Sequence, residues 1–393
     1  MDPARVSVRN VRVVRHEVDR GHADVAEALA TLFAQNGRGG SPRLPLAPTR
    51  LEFELGGAAT AVANALRRVL AQELLGHCLT FDRDGLVGAN EPGGTTDPFM
   101  QDADYLRTRL RMVPLAPGIP EEVVRTLRYS LHHTNPTSEV VTLYAGDLQT
   151  TAGQEPAANI FNPTHELAFL QPGKTLHIRD IRIDSGTAAQ DAAFAVAIRA
   201  TAVPLDLEEA PRSETHDEGG AEADYSGYRQ SSLVADPRRH RVSCVLPAVP
   251  KSTRLVLEVG ASACRAVVQR LGAIRALLAE AHLRPAAVEG GLQMRNGDGH
   301  IHVAVGEKVR GHLFVKKETH TTGNLLVRAI HELFPRIEYA AYVCTPHERG
   351  LALTVERSGG DAHSLVREVL LGATDAAAAV FRAIEARLSG VSL

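Results

Sequence analysis

The sequence predicts an α+β protein, and three observations carry that prediction. Several short stretches alternate apolar and polar residues, as half-buried strands do; other stretches repeat apolar residues every three or four positions, as one face of a helix does; and the chain closes on the longest repeat of the second kind. At 393 residues the chain exceeds the roughly 100–200 residues of a typical domain, so more than one core is expected.

Residues 5–17 (RVSVRNVRVVRHE) read as a strand. Segment 22–35 places Val25, Leu29 and Leu32 at helical spacing and runs into Asn36, Gly37, Arg38, Gly39 and Gly40, a loop that glycine makes easy. A strand over 51–55 follows. Over 58–75 the sequence predicts a strong helix, with Val62, Leu66, Val69 and Leu70 on one stripe and Arg67, Arg68 and Glu73 off it. Residues 85–99 are turn-rich, 105–115 returns to alternation, and Pro117 and Pro120 break the pattern. Strand-like pieces at 139–144 and 175–182 then predict a small β-rich domain over 118–192.

Between Leu207 and Ser232 seven carboxylates, from Glu208 to Asp224, meet few large apolar residues, which predicts a solvated loop. A helix is expected over 262–282 on Val267, Leu271, Ile274 and Leu278, and a linker over 284–299. Such a linker spans up to about 55 Å when extended. Beyond it, 301–317 is strand-like, 322–334 helical, and 337–343 and 351–357 strand-like. In 362–388 the residues Val366, Val369, Ala373, Ala377, Val380, Ile384 and Leu388 form a narrow seam suited to a partner helix.

Composition narrows the function. A net charge of -3 gives no overall basic field for non-specific nucleic-acid binding. Cys78, Cys244, Cys264 and Cys344 lie far apart, which argues against a disulfide framework or a thiolate zinc site and for a reducing, intracellular setting. The start lacks an apolar signal core and no run nears 18 apolar residues, so a soluble chain with no membrane span is expected. Of the histidines, His300 and His302 share one strand face and His132 and His133 diverge; with no third ligand in view they read as surface residues, and no metal is expected. No glycine pair completes a phosphate loop.

Two motifs resemble a known family. Ala63, Asn64, Ala65, Leu66, Arg67, Arg68, Val69 and Leu70, preceded by the strand LEFEL, resemble the signature helix of the RNA polymerase α-like subunits. Asn64 is poorly suited to a helix interior, and the adjacent Arg67 and Arg68 offer donor forks in two directions. Asp104, Arg109, Pro114 and Leu115 continue that resemblance, with Ala103, Thr108 and Arg111 as departures. Independently, Lys317 through Leu326 (KETHTTGNLL) resembles the signature of the family's small partner, the eleventh-class eukaryotic subunit, with Thr319 and Thr322 as departures. There Thr321 or Thr322 is expected to cap a helix, and Gly323 and Asn324 to admit a neighbouring backbone. Ala341, Tyr342, Pro346 and His347 echo the same partner.

Both partners in one chain resemble the fused α-like subunit of large nucleocytoplasmic DNA viruses. The resemblance implies two α-like dimerisation modules paired within one molecule: residues 1–117 with 193–283, interrupted by the inserted domain 118–192, then the linker 284–299 and the second module 300–393. An extra insertion at 20–48 lies outside the family pattern. It also implies a non-catalytic platform without cofactors that docks the two largest polymerase subunits, and smaller ones, through Asn64, Arg67, Arg68 and Arg109. Glu318, His320, Gly323 and Asn324, with Val366, Val369, Ala373, Val380 and Ile384, are assigned to helix entry and module pairing. DNA is met only through the complex, whether in nucleus, cytoplasm or virion, and no obligatory homodimer is expected. The competing reading, a hydrolase using a histidine cluster, finds no nucleophile and base at usable spacing.

Overall fold

The computed structural model describes residues 1–15, 48–87, 102–153, 160–205, 238–247, 253–279, 284–285, 292–295, 299–345 and 349–391. The helix expected at 22–35, nearly all of the 20–48 insertion, the turns at 88–99, the acidic stretch 207–232 and the Pro346–His347 echo lie outside the described residues.

The fold is mixed α and β. β1 (Ser7–Arg15) pairs antiparallel with β2 (Thr49–Gly56), slipping register between Arg9 and Arg12 beside Asn10, whose φ is 51°. In β2 the residues Leu51, Phe53 and Leu55 are buried while Arg50, Glu52 and Glu54 alternate with them. Gly57, at a φ of 72°, turns the chain where a Cβ would meet the Arg5 carbonyl oxygen at 2.1 Å. α1 (Thr60–Arg68) follows, buries Ala61, Val62, Ala63, Ala65 and Leu66, and widens into a π-helical turn, Val69–Glu73, before β3 (Leu75–Thr80).

α2 (Ala103–Arg111) stands where alternation over 105–115 suggested a strand. Asp102 caps it by accepting from the backbone N–H groups of Asp104 and Tyr105, and Leu106 and Leu110 are buried four residues apart. A capped start and helix-favouring arginines outweigh an alternation that the same two leucines also satisfy.

Next come α3 (Glu121–Thr126), β4 (Arg128–Thr134), β5 (Val141–Tyr144), β6 (Gln149–Ala152), β7 (Glu166–Leu170) and β8 (Thr175–Thr187). They form a sheet of order β3-β8-β4-β6 and a separate β5-β7 pair. Their core holds Leu127, Tyr129, Leu131, Leu170 and Ile181, with Tyr129 edge-on to Phe161 at 5.5 Å. It also takes in Leu106, Leu110 and Leu115, so apolar packing runs across the expected border at 118.

β9 (Arg199–Pro204) and β10 (Arg239–Leu246) complete a four-stranded antiparallel sheet of order β1-β2-β10-β9. α4 (Thr253–Ala279) starts before the expected 262, because Val256, Leu257 and Val259 extend its buried stripe. β11 (Arg284–Pro285), β12 (Leu292–Arg295), β13 (Gly299–Val305) and β14 (Lys308–Lys316) follow, then α5 (His320–Leu333), β15 (Ile337–Thr345) and β16 (Gly350–Ser358). After a turn at Ala362–Ser364 and a π-helical stretch at Leu365–Leu371, α6 (Gly372–Ser389) ends the described chain.

One expectation is corrected here. The 284–299 stretch is not a free linker, since β11 and β12 enter a six-stranded sheet of order β11-β12-β13-β14-β16-β15, with Leu292 to Arg295 registered against Val303 to His300. The stretch 301–317, expected to be strand-like, forms a hairpin of β13 and β14, tightened where the Gly306 N–H donates to the Lys308 carbonyl at 3.1 Å.

The larger core is continuous from β2 through α1 and α4 to β13, α5 and α6. α4 and α6 run antiparallel: Arg265 pairs with Glu385 at 3.1 Å, Arg275 with Asp375 at 2.8 Å, and Leu388 packs over Gly260. Val366, Val369, Ala373, Ala377, Val380, Ile384 and Leu388 are all buried in this core. Ala377 is fully buried, so Ala377→Leu is expected to cost about 1–3 kcal/mol through overpacking. Urea unfolding monitored by circular dichroism checks this.

Candidate functional site

The two sequence motifs meet at Glu73. This carboxylate, its side chain only 6% exposed, sits at the end of the π-helical turn that continues α1. Arg270 of α4 pairs with Glu73 Oε2. The Thr321 hydroxyl, at the start of α5, donates to Glu73 Oε1 at 2.8 Å, and the Thr319 hydroxyl lies 3.5 Å from the same oxygen. Arg68 Nε in turn donates to Thr321 Oγ1 at 3.0 Å. A relay therefore runs from Arg68 through Thr321 to Glu73, and aligned hydrogen bonds of this kind polarise and strengthen one another where water is scarce.

The start of α5 is arranged around that relay. Thr319, rather than Thr321 or Thr322, is the cap, its Oγ1 accepting from the Thr321 N–H at 3.3 Å. The other two hydroxyls are committed elsewhere, Thr321 to Glu73 and Thr322 to Glu318 Oε2 at 2.5 Å. His320 is exposed and stands edge-on to Tyr342 at 5.7 Å. Gly323 does admit a close neighbour, but it is the Tyr342 ring rather than a backbone: a Cβ would lie 2.4 Å from its Cδ2. Asn324 is exposed.

The remaining motif residues are divided between two places. Asn64 Oδ1 accepts from Arg67 Nε at 2.8 Å, which fixes one edge of that guanidinium beside the relay. Arg109 lies apart on α2, where its Nη2 donates to the Glu166 carbonyl at 2.9 Å and so ties α2 to β7. Next to α2 opens a cleft of about 870 Å³ whose lining includes Met112, Pro114, His165 and Ile198. Arg111 and Asp191 pair across its wall at 2.6 Å, and burial lowers the pKa of both His77 and His165.

A second junction centres on Glu332 of α5, which binds the Met1 ammonium at 2.8 Å, Arg328 at 2.7 Å and Arg238 at 3.0 Å. Burial pushes its carboxyl up, but the hydrogen bonds from those three cations outweigh it and hold the pKa at about 2. The histidine candidates are dispersed: the His132 and His177 rings meet at 4.7 Å, those of His302 and His312 at 6.5 Å, and His300 stacks on Phe314. Among the described residues no group of three or more His, Cys, Asp or Glu side chains could hold a metal ion, and no helix is long and apolar enough to cross a membrane.

The structure thus gathers Asn64, Arg67, Arg68, Glu318, His320 and Gly323 at one place and leaves Arg109 at another. Sequence reasoning missed Arg270 and the acceptor role of Glu73. Their separation of 197 residues offers no local pattern.

Polar groups that converge from three helices of one α+β chain define a structural junction. No protein-family model matches the chain. It is 31% identical over 358 residues to a DNA-directed RNA polymerase RPB3-11 homolog of African swine fever virus, Badajoz strain, covering 88% of this chain and 89% of that one. The proteins of the same description from a Namibian warthog isolate and a Kenyan pig isolate are 32% and 33% identical, covering 88% and 80% of this chain and 89% and 80% of theirs. The chain belongs to the family of DNA-directed RNA polymerase RPB3-11 homologues and is a component of that enzyme.

Glu73→Ala removes the acceptor of Arg270 and Thr321 at once and is expected to cost about 2–3 kcal/mol. In a double-mutant cycle with Arg270→Ala, denaturant unfolding should show a coupling of about 1 kcal/mol or more, because the pair is lost only once. Glu332 has its pKa depressed on folding, so its contribution is complete above the ordinary carboxylate range and is lost as pH falls from about 4.5 through about 2. Glu332→Gln is expected to flatten the decline of thermal stability across that window, as read by scanning calorimetry.

Proposed function

We propose that the chain is the non-catalytic assembly platform of a multisubunit DNA-directed RNA polymerase. Its two α-like modules, 1–117 with 193–283 and 300–393, pair within one molecule through α4 and α6. The paired body docks the two largest subunits, which carry the chemistry, and smaller subunits beside them; DNA is reached through the complex. The observation that carries this reading is the relay from Arg68 through Thr321 to Glu73 and Arg270, in which the signature helix of one module and the signature turn of the other complete each other's hydrogen bonds. The names of the viral relatives support it. Pairing inside one chain replaces a bimolecular step with one at roughly millimolar effective concentration, so the isolated chain needs no second copy.

Within this reading the two arginines divide the work. Arg68 holds the modules together, while Arg67, anchored at one edge by Asn64, offers the rest of its fork to a carboxylate on a large subunit. Tagged chain recovered from its native setting is expected to bring down both largest polymerase subunits in equimolar amount, and their absence would sink the platform reading. Arg67→Ala should lower that recovery several-fold at unchanged melting temperature, whereas Arg68→Ala should lower the melting temperature itself. Unchanged recovery with Arg67→Ala would move the docking face elsewhere.

A further inference from the structure

The sheet β1-β2-β10-β9 has one face in the larger core and one outside it, and on the outer face arginines outnumber glutamates. Strand alternation and register set Arg9 and Arg241 on either side of Glu54, and Arg12 opposite Glu52. The next row across the four strands alternates valine with arginine: Val14, Arg50, Val245 and Arg199. Arg50 and Arg199 therefore face valines, not carboxylates. Between them runs a groove of about 220 Å³ whose walls also carry Glu52, Thr201, Arg241 and Ser243. Glu52 is committed to Arg241 at 3.8 Å, and Arg50 Nε is buried with no hydrogen-bond acceptor. A guanidinium donor taken out of water and given no acceptor is costly, and an anion entering the groove beside it removes that cost.

The surroundings decide which anion fits. Glu52 and Glu54 stand in the middle of the face on β2, where they would repel a nucleic-acid strand that carries a phosphate about every 3.4 Å. A peptide can leave those positions without charge. Val14 and Val203 are each 42% exposed, and with Val245 they offer apolar side chains a surface that a phosphate backbone does not use. Size points the same way. From β1 to β9 the face is about 14 Å wide, and from Val203 to Arg199 about 13 Å long, roughly a quarter of the ~800 Å² that a stable globular interface takes from each partner. An extended segment of about five residues fills it. We propose that this face holds a short acidic segment of another subunit of the polymerase, with carboxylates on Arg50 and Arg199 and apolar side chains over the valines beside them. Two guanidinium forks on successive strands fix where the segment lies. The inference rests on the chain being a component of the enzyme and not on which face docks the largest subunits.

The test places photoreactive benzoylphenylalanine at Val14 or at Thr201 of the full chain, purifies the assembled polymerase, irradiates it and maps the crosslinked peptides by mass spectrometry. Both positions are expected to capture one segment of another subunit, in which Asp and Glu outnumber Lys and Arg. Adding Arg50→Ser with Arg199→Ser should lower the yield per assembled enzyme at least about tenfold, as loss of two charge-assisted contacts requires. The charge-matched control, Arg336→Ser with Arg382→Ser at exposed positions elsewhere, should leave it unchanged. Counting only assembled enzyme keeps a folding defect from passing for lost binding. Crosslinks to nucleic acid, crosslinks confined to this chain, capture of a neutral or basic segment, or no captured subunit would each overturn the proposal, as would a yield indifferent to Arg50 and Arg199. None of these results touches the platform reading, which fails only if the largest subunits do not co-purify.

Discussion

The antiparallel contact of α4 with α6 is the constraint on which the larger core depends. The helices come from distant parts of the chain, and small residues let their axes approach: Ala263 on α4 and Ala373 and Ala377 on α6 are fully buried, and Gly260 receives Leu388. Apolar burial along such a seam supplies most of the free energy, at roughly 25 cal/mol per Å². The ion pairs at its rim, Arg265–Glu385 and Arg275–Asp375, are half exposed and contribute little to stability. They fix which turn of one helix faces which turn of the other.

The elements easiest to read in the sequence are those whose burial follows one period without competition. The stripe from Val366 to Leu388 is buried at every position named from its spacing, and Leu51, Phe53 and Leu55 alternate as a strand requires. α2 was hard to read because Leu106 and Leu110 satisfy both periods, and the cap at Asp102 lies just before the ambiguous stretch. The strands at Arg284–Pro285 and Leu292–Arg295 sit in glycine-rich text and gain their form from pairing, the first with the second and the second with β13, a tertiary effect that no local window contains. At the start of α5 three threonines compete for one role. Which of them caps is decided by Glu73 and Glu318 drawing off the other two hydroxyls, and Glu73 is far away in sequence.

A net charge of -3 conceals how charge is distributed. Arginines concentrate on the outer face of the four-stranded sheet, carboxylates in the connection between two of its strands, and buried or half-buried pairs at Glu73 and Glu332. These populations do different things. A buried carboxylate with several donors specifies geometry at a desolvation cost, whereas exposed surface charges act weakly and are screened by salt.

The polar junctions matter because an apolar seam alone is degenerate. Shifting α6 along α4 by one turn, about 5.4 Å, would still set valine and alanine against leucine and valine. It would break both rim pairs, and it would carry α5, packed on α6, away from α1, so that Thr321 left Glu73 and Arg68 together. Arg270 and Glu73 would remain paired to each other while the relay beyond them was lost. A seam of small residues thus allows close packing, and three hydroxyl and guanidinium donors converging on one buried carboxylate choose the register in which that packing occurs. For the platform role proposed above, in which a fixed surface is presented to larger partners, a single register is the property that assembly requires.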